Sequence, residues 1–248
     1  MLLDTGRVDV NSQGRDGETA LCYAVRCGYT GIVQIVLKRP DININTGARH
    51  GGTPLIVAAG KGAVEITALL LRMGKSAVNI KNKFGRSPLS YAAAKGHAEI
   101  VSLLLQLDDV EVELKDRRDR SPLSYAAEHG HEGIVALLLA NQKVEVNSCD
   151  NSGWTPLHYA AARGHEEVMK LLLCHEGSDV NWRDNGGCTA LIIAAREGHV
   201  ATLEILLGRA EIDANIRTRW GTSALSMSRK VGCQAITQIL LASDKVVD

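Results

Sequence analysis

The chain has little aromatic mass. Aromatic residues make up 4% of 248 residues, with a single Phe, so no core can form around a few large rings and small aliphatic side chains must do the packing. Net charge is also missing, since 28 basic residues face 28 acidic ones. That balance excludes a uniformly basic nucleic-acid binder and an acidic tail protein. Long apolar runs are absent: the longest, such as Ile100 to Leu105, fall far short of the roughly 18 residues that a membrane span needs. Met1-Leu2-Leu3-Asp4 lacks a basic segment followed by an apolar one, so the N-terminus does not read as a signal peptide. Six cysteines occur without a C-x-x-C pair, and no N-x-[ST] acceptor is present. These absences point to reduced thiols in the cytoplasm, with the nucleus as the alternative.

What the chain does have is a period. A T/S-[P/A]-L tripeptide begins at Thr19, Thr53, Ser87, Ser121, Thr155, Thr189 and Ser223, a step of 34 residues each time. Gly28, Gly62, Gly96, Gly130, Gly164, Gly198 and Gly232 keep the same register, and so do the leucines from Leu37 to Leu241. Self-similarity at such a period marks a stack of identical supersecondary units.

Within one unit, Ser121 to Gly130 predicts a short helix. Ser121 can cap it, Pro122 suits its first turn, and Gly130 can supply a left-handed end. His131 to Leu139 predicts a second, antiparallel helix with an apolar face of Ile134, Leu137, Leu138 and Leu139. Val144-Glu145-Val146-Asn147 alternates like an extended stretch, and Asp150-Asn151-Ser152-Gly153 is a turn cluster, together predicting a hairpin-like finger. Paired alanines such as Ala126 and Ala127 let neighbouring helices approach, and each leucine buried by stacking contributes about 1.5–3 kcal/mol.

Gly153-Trp154-Thr155-Pro156-Leu157-His158-Tyr159-Ala160-Ala161, Gly164-His165, Leu171-Leu172-Leu173 and Asp179-Val180-Asn181 resemble the ankyrin repeat almost letter for letter, and the match runs along essentially the whole chain. The usual unit has 33 residues. The extra one here precedes the V-x-V-N stretch, a spacing similar to that of ankyrin arrays in large fungal multidomain proteins. The resemblance implies an all-α solenoid of helix-turn-helix units with β-hairpin-like fingers. Its units would be the end of a truncated repeat at 1–13, repeats at 14–47, 48–81, 82–115, 116–149, 150–183 and 184–217, and a C-terminal cap at 218–248. Met1-Leu2-Leu3 aligns with Ile35-Val36-Leu37, so the chain is expected to open inside a second helix, cut from a longer protein. Two departures are expected to alter the fingers locally: Asp119 in place of the turn glycine, and Gly60-Lys61 after the second unit's alanine pair. Ser228 and Arg229 replace the alanine pair of the last unit, as a cap would.

Tests for chemistry return nothing that assembles. His97, His131, His165 and His199 share one position after the turn glycine, which reads as a histidine bonding turn backbone. For His158 the resemblance implies a hydrogen bond to a threonine hydroxyl. His129 and His131 are spaced i, i+2, which does not place both rings on one helix face for a metal. Cys174-His175 lacks an orienting group, and neither a phosphate loop nor Gly-x-Ser-x-Gly is present. No catalytic residue, metal or cofactor is assigned.

Partner-binding positions follow from the resemblance, which implies the fingertips and the exposed ends of the first helices. Mapped onto this chain, that face carries 18 basic residues against eight acidic ones (Asp16, Glu18, Asp116, Asp119, Glu128, Asp150, Asp184 and Glu197), leaving 10 basic and 20 acidic elsewhere. The candidate contacts are Phe84, Arg86, Lys95, Lys115, Arg117, Arg118, Arg120, Trp154, Arg163, Arg183, Arg219 and Trp220. Trp154 either anchors a partner or packs over the next finger. The leading reading is a non-catalytic protein-interaction scaffold whose basic, aromatic-studded concave face takes an acidic protein. A polyanion or nucleic-acid binder is the second reading, against which Asp116, Asp119, Asp150 and Asp184 count because they would face phosphates. An enzyme sheltering a small substrate in the groove is the third. Oligomeric state is left open.

Overall fold

Each first helix begins where the threonine or serine of the tripeptide caps it. The computed structural model describes residues 9–47, 49–73 and 78–247; the expectation placed on Met1 to Leu3 lies outside them. Thr19 Oγ1 accepts from the Cys22 amide, and the same bond recurs at Thr53, Ser87, Ser121, Thr189 and Ser223. Among the described residues fourteen α-helices follow in pairs. They are α1 (Ala20–Cys27) with α2 (Thr30–Leu37), α3 (Pro54–Lys61) with α4 (Val64–Arg72), and α5 (Pro88–Lys95) with α6 (Ala98–Leu105). Next come α7 (Pro122–Glu128) with α8 (Glu132–Leu139) and α9 (Pro156–Arg163) with α10 (Glu166–Cys174). The last are α11 (Ala190–Glu197) with α12 (Val200–Leu207) and α13 (Ala224–Val231) with α14 (Gln234–Ala242).

The chain divides into two compact units, Met1–Arg117 and Arg118–Asp248. In the first, α1 packs on α3 and α3 on α5, while α2 packs on α4 and α4 on α6. In the second, α7, α9, α11 and α13 form one row and α8, α10, α12 and α14 the other. The alanine pairs are fully buried where first helices meet, as at Ala58 and Ala59 in one unit and Ala160 and Ala161 in the other. The deepest second-helix side chains stand one residue before the registered leucines: Leu70, Leu104, Leu138, Leu172, Leu206 and Leu240 are sealed from solvent.

Gly62 shows why the turn must be glycine. Its φ is +73°, and a Cβ there would lie 2.6 Å from the His97 ring. That ring reaches back one helix pair, its Nε2 donating to the Gly60 carbonyl at 3.3 Å. His165 and His199 do the same to Glu128 and Ala162, at 3.1 and 3.2 Å. These histidines therefore bond backbone, as expected, but the backbone belongs to the preceding pair, so each is a staple between neighbours.

The V-x-V-N stretch is turned rather than extended. Burial still alternates, with Val144 and Val146 inside and Glu145 exposed between them, but the backbone forms turns and no strand. The work is done by the asparagine. Asn147 Nδ2 donates to the Gly177 carbonyl at 2.7 Å, and its Oδ1 accepts from the Asp179 amide at 3.0 Å. Asn181 and Asn215 repeat this pair of bonds in the same unit, and Asn11 and Asn79 repeat it in the other.

Three further expectations are corrected. Asp119 does not reshape its finger, because it adopts the left-handed φ of 59° that glycine holds elsewhere. Gly60 lies inside α3, away from the finger, where a Cβ would sit 3.4 Å from the Tyr91 ring. The rings of His129 and His131 do come side by side, with centroids 6.0 Å apart and planes at 11°, because α7 ends at Glu128 and helical spacing no longer applies.

Candidate partner-binding surface

Four of the fingers are each built on one polar side chain. In the finger before α9, Asp150 Oδ1 accepts from the amides of Ser152 and Trp154 at 2.8 and 2.9 Å, and backbone bonds Gly153 to Asp150 and Asp150 to Trp154 close the turn. Asp184 holds the amides of Gly186 and Cys188 in the same way. Asn82 and Thr218 serve the fingers before α5 and α13. Aspartate and asparagine favour such turns because the side chain mimics a backbone acceptor. Here the consequence is electrostatic as well, since the amide dipoles stabilise the carboxylate.

Adjacent fingers are tied by one backbone bond. In the first unit the Lys83 amide donates to His50 and that of Arg117 to Phe84. In the second, the amides of Asn151, Asn185 and Arg219 donate to Arg118, Ser152 and Gly186. Among the described residues the one β-bridge pairs Gln13 with Thr19.

In the first unit, Phe84 is 53% exposed, its ring 5.7 Å from that of His50. Arg86 lies 3.9 Å from buried Asp116, with its guanidinium 5.6 Å over the Tyr91 ring. Lys95 and Arg117 are exposed, and Lys115 is half-buried.

In the second unit, Arg118 is exposed. Arg120 is only 12% exposed at its side chain: it donates to Glu128 Oε2 at 2.9 Å and to the Tyr125 hydroxyl at 2.6 Å. Arg163 reaches the other oxygen of the same Glu128 at 3.3 Å. Arg183 and Arg219 are exposed, the former donating to the Arg217 carbonyl at 3.0 Å. Trp220 is 78% exposed at its fingertip.

Trp154 packs. Its Nε1 donates to Asp184 Oδ2 on the next finger at 3.0 Å, and its ring meets Tyr159 edge-on at 5.2 Å. Tyr159 in turn donates to Asp150 Oδ2 at 2.6 Å. Burial, and then that bond, raise the phenol's pKa, so it stays a donor. Beneath it His158 is completely buried, with Nδ1 2.8 Å from the Thr155 hydroxyl, as the resemblance implied, and Nε2 donating to the Cys188 carbonyl at 3.2 Å. Burial lowers its pKa and keeps the ring neutral.

Of the candidate residues, Arg118, Arg120 and Trp154 are brought together, lining with Asp150 and Tyr159 a cavity of about 460 Å³. Arg183, Arg219 and Trp220 stand apart from it within the same unit. The bond from Trp154 to Asp184 and the asparagine ladder are roles the sequence reading did not assign. Among the described residues no three metal-ligating side chains come together, and no helix is long and apolar enough to cross a membrane.

Capped helix pairs, histidine staples and tied fingers define a repeat protein of stacked helix-turn-helix units. The family model for ankyrin repeats, built on three copies, matches residues 1–77, 39–116, 55–148, 107–184, 142–219 and 175–248. The chain therefore belongs to the ankyrin repeat family. Such repeats are generally protein-protein interaction modules and typically non-catalytic. No curated protein matches the chain significantly.

Proposed function

We propose that this protein is a scaffold whose finger side binds an acidic surface of a protein partner, with the repeat boundaries at 34-residue steps from residue 14. The observation that carries this reading is where the face spends its carboxylates. Asp150 and Asp184 are engaged by turn amides, Asp116 is buried beside Arg86, and Glu18, Glu128 and Glu197 are held by arginines. Only Asp16 and Asp119 of the eight acidic residues lie outside such contacts while exposed, whereas Lys95, Arg183 and Arg219 present charge to solvent. A formally mixed face thus acts as a positive one. Phe84 and Trp220 add apolar area of the kind that anchors interfaces. The six cysteines are free thiols, which favours a reducing compartment, the cytoplasm or the nucleus.

The test is a selection from a random peptide display library. Reversing Arg86 or Arg163 would set like charges against Asp116 or Glu128, so the informative variant reverses Lys95, Arg183 and Arg219, which have no carboxylate within ion-pair distance among the described residues. The protein should enrich acidic peptides and the triple variant should not. Enrichment of neutral or basic sequences would refute the reading.

A further inference from the structure

We infer that the fingers preceding α11 and α13 anchor the partner, taking a peptide segment in which glutamates or aspartates flank an aliphatic residue. The aliphatic side chain lies on Trp220 and the carboxylates meet Arg183, Arg217 and Arg219. The inference rests on the reading above and gives it a place. From Ala214 to Ser243 the sequence holds four basic residues and no acidic one. Elsewhere on the face arginines meet carboxylates, as Arg120 and Arg163 meet Glu128 and Arg196 meets Glu197. Arg183 and Arg217 instead donate to carbonyls, those of Arg217 and Gly221, at 3.0 and 3.2 Å. Such bonds hold a guanidinium at the fingertip without cancelling its charge, and leave it further N–H donors. The neighbouring acidic residues are engaged otherwise. Asp184 accepts from the amides of Gly186 and Cys188 and from the Trp154 indole, Glu211 stands 3.7 Å from Arg209, and Asp213 accepts from the Asn215 amide. Among the described residues none of the three arginines has a carboxylate within ion-pair distance.

The ligand is selected by what the fingertips no longer offer. Every amide of residues 184–188 and 218–222 already donates, either to a carbonyl or to the side chain of Asp184 or Thr218. No nest of amides is left for a phosphate, and no edge for an added strand. Recognition falls to side chains, and planar guanidiniums pair with carboxylates through two parallel bonds. There is also a single aromatic platform. Trp220 is 78% exposed, with its ring leaning on the preceding fingertip, where a Cβ on Gly186 would come 3.4 Å from it. The matching tip positions in the same unit are Arg118, Ser152 and Gly186. A single-stranded nucleic acid, which stacks successive bases, finds no second ring there. A peptide needs only one.

The experiment titrates the intact protein with an acetylated, amidated peptide in which paired glutamates flank a leucine. Matched peptides carry glutamine or phosphoserine in place of glutamate, and a uridine oligonucleotide serves as the nucleic-acid probe. The three tryptophan indole N–H resonances are followed, with Trp220→Phe assigning one of them. The glutamate peptide should shift the Trp220 indole saturably and leave Trp154 unmoved. Glutamine in the peptide, Arg219→Gln and Trp220→Ala should each weaken binding about tenfold, with the melting temperature of both variants unchanged. Equal affinity for the glutamate and glutamine peptides, or full affinity in Trp220→Ala, would overturn the anchor. Tighter binding of the phosphoserine peptide, or of the oligonucleotide, would overturn the choice of ligand. If the glutamate peptide binds with Trp220 unmoved and Lys95→Glu abolishes that binding, the anchor falls and the basic face stands. If it binds nowhere, both fall.

Discussion

The His165 ring sits over Gly130 and donates through Nε2 to the Glu128 carbonyl at 3.1 Å, so residues 35 and 37 positions apart in sequence share one corner of the stack. A Cβ on Gly130 would lie 2.7 Å from that ring, at a φ of +71°. His165→Ala should cost about 1 kcal/mol, the net worth of a hydrogen bond. Gly130→Ala should cost more, because the left-handed conformation alone penalises a side chain by about 1–2 kcal/mol. Urea unfolding of both variants checks the order, and a neutral Gly130→Ala would contradict it.

Asp119 offers the reverse experiment. It is an exposed non-glycine residue at a φ of 59°, where the other described fingers carry glycine. Asp119→Gly should stabilise the protein by up to about 1 kcal/mol. Chemical denaturation measures it, and a loss of stability would mean that the carboxylate makes a contact worth more than the strain.

His158 predicts a pH dependence. Burial holds its folded pKa below the unfolded value of about 6.5. Above 6.5 the ring is neutral in both states. As pH falls below 6.5 the unfolded chain takes up a proton that the folded one refuses, so stability declines toward the depressed folded pKa. His158→Ser copies the residue at the matching positions 90, 124 and 226 and should flatten the melting-temperature profile on the acid side of 6.5. An unchanged slope would remove His158 from the account.

The asparagine ladder predicts a local effect. Asn181→Ala removes a donor to the Glu211 carbonyl and an acceptor for the Asp213 amide. Stability should fall by about 1–3 kcal/mol, and hydrogen exchange should quicken at the Asp213 amide ahead of the α11 core.

What could be read from the sequence was local. Ser121 caps within three residues and Gly130 turns within one, so helices α7 and α8 were visible from neighbouring letters. The ladder was not, although asparagine recurs at 11, 45, 79, 147, 181 and 215. Its partners lie 30 and 32 positions away, and asparagine in a turn-rich stretch is already explained by turn preference. The same holds at the candidate surface. Arg120 and Arg163 look alike as letters, and only packing reveals that both grip Glu128. For Trp154 the letters left anchoring and packing both open, and only the structure shows Asp184 accepting its indole N–H.

The central claim is that the fingers present net positive charge because their carboxylates are engaged within the fold. It is tested most directly by the association rate of a selected acidic peptide, measured against salt for the protein and for the Lys95, Arg183 and Arg219 reversal. The account predicts a rate that falls steeply as salt rises and a reversed variant that binds slowly at every salt, with an unchanged melting temperature. A rate indifferent to salt, or one that the reversal leaves intact, would contradict it.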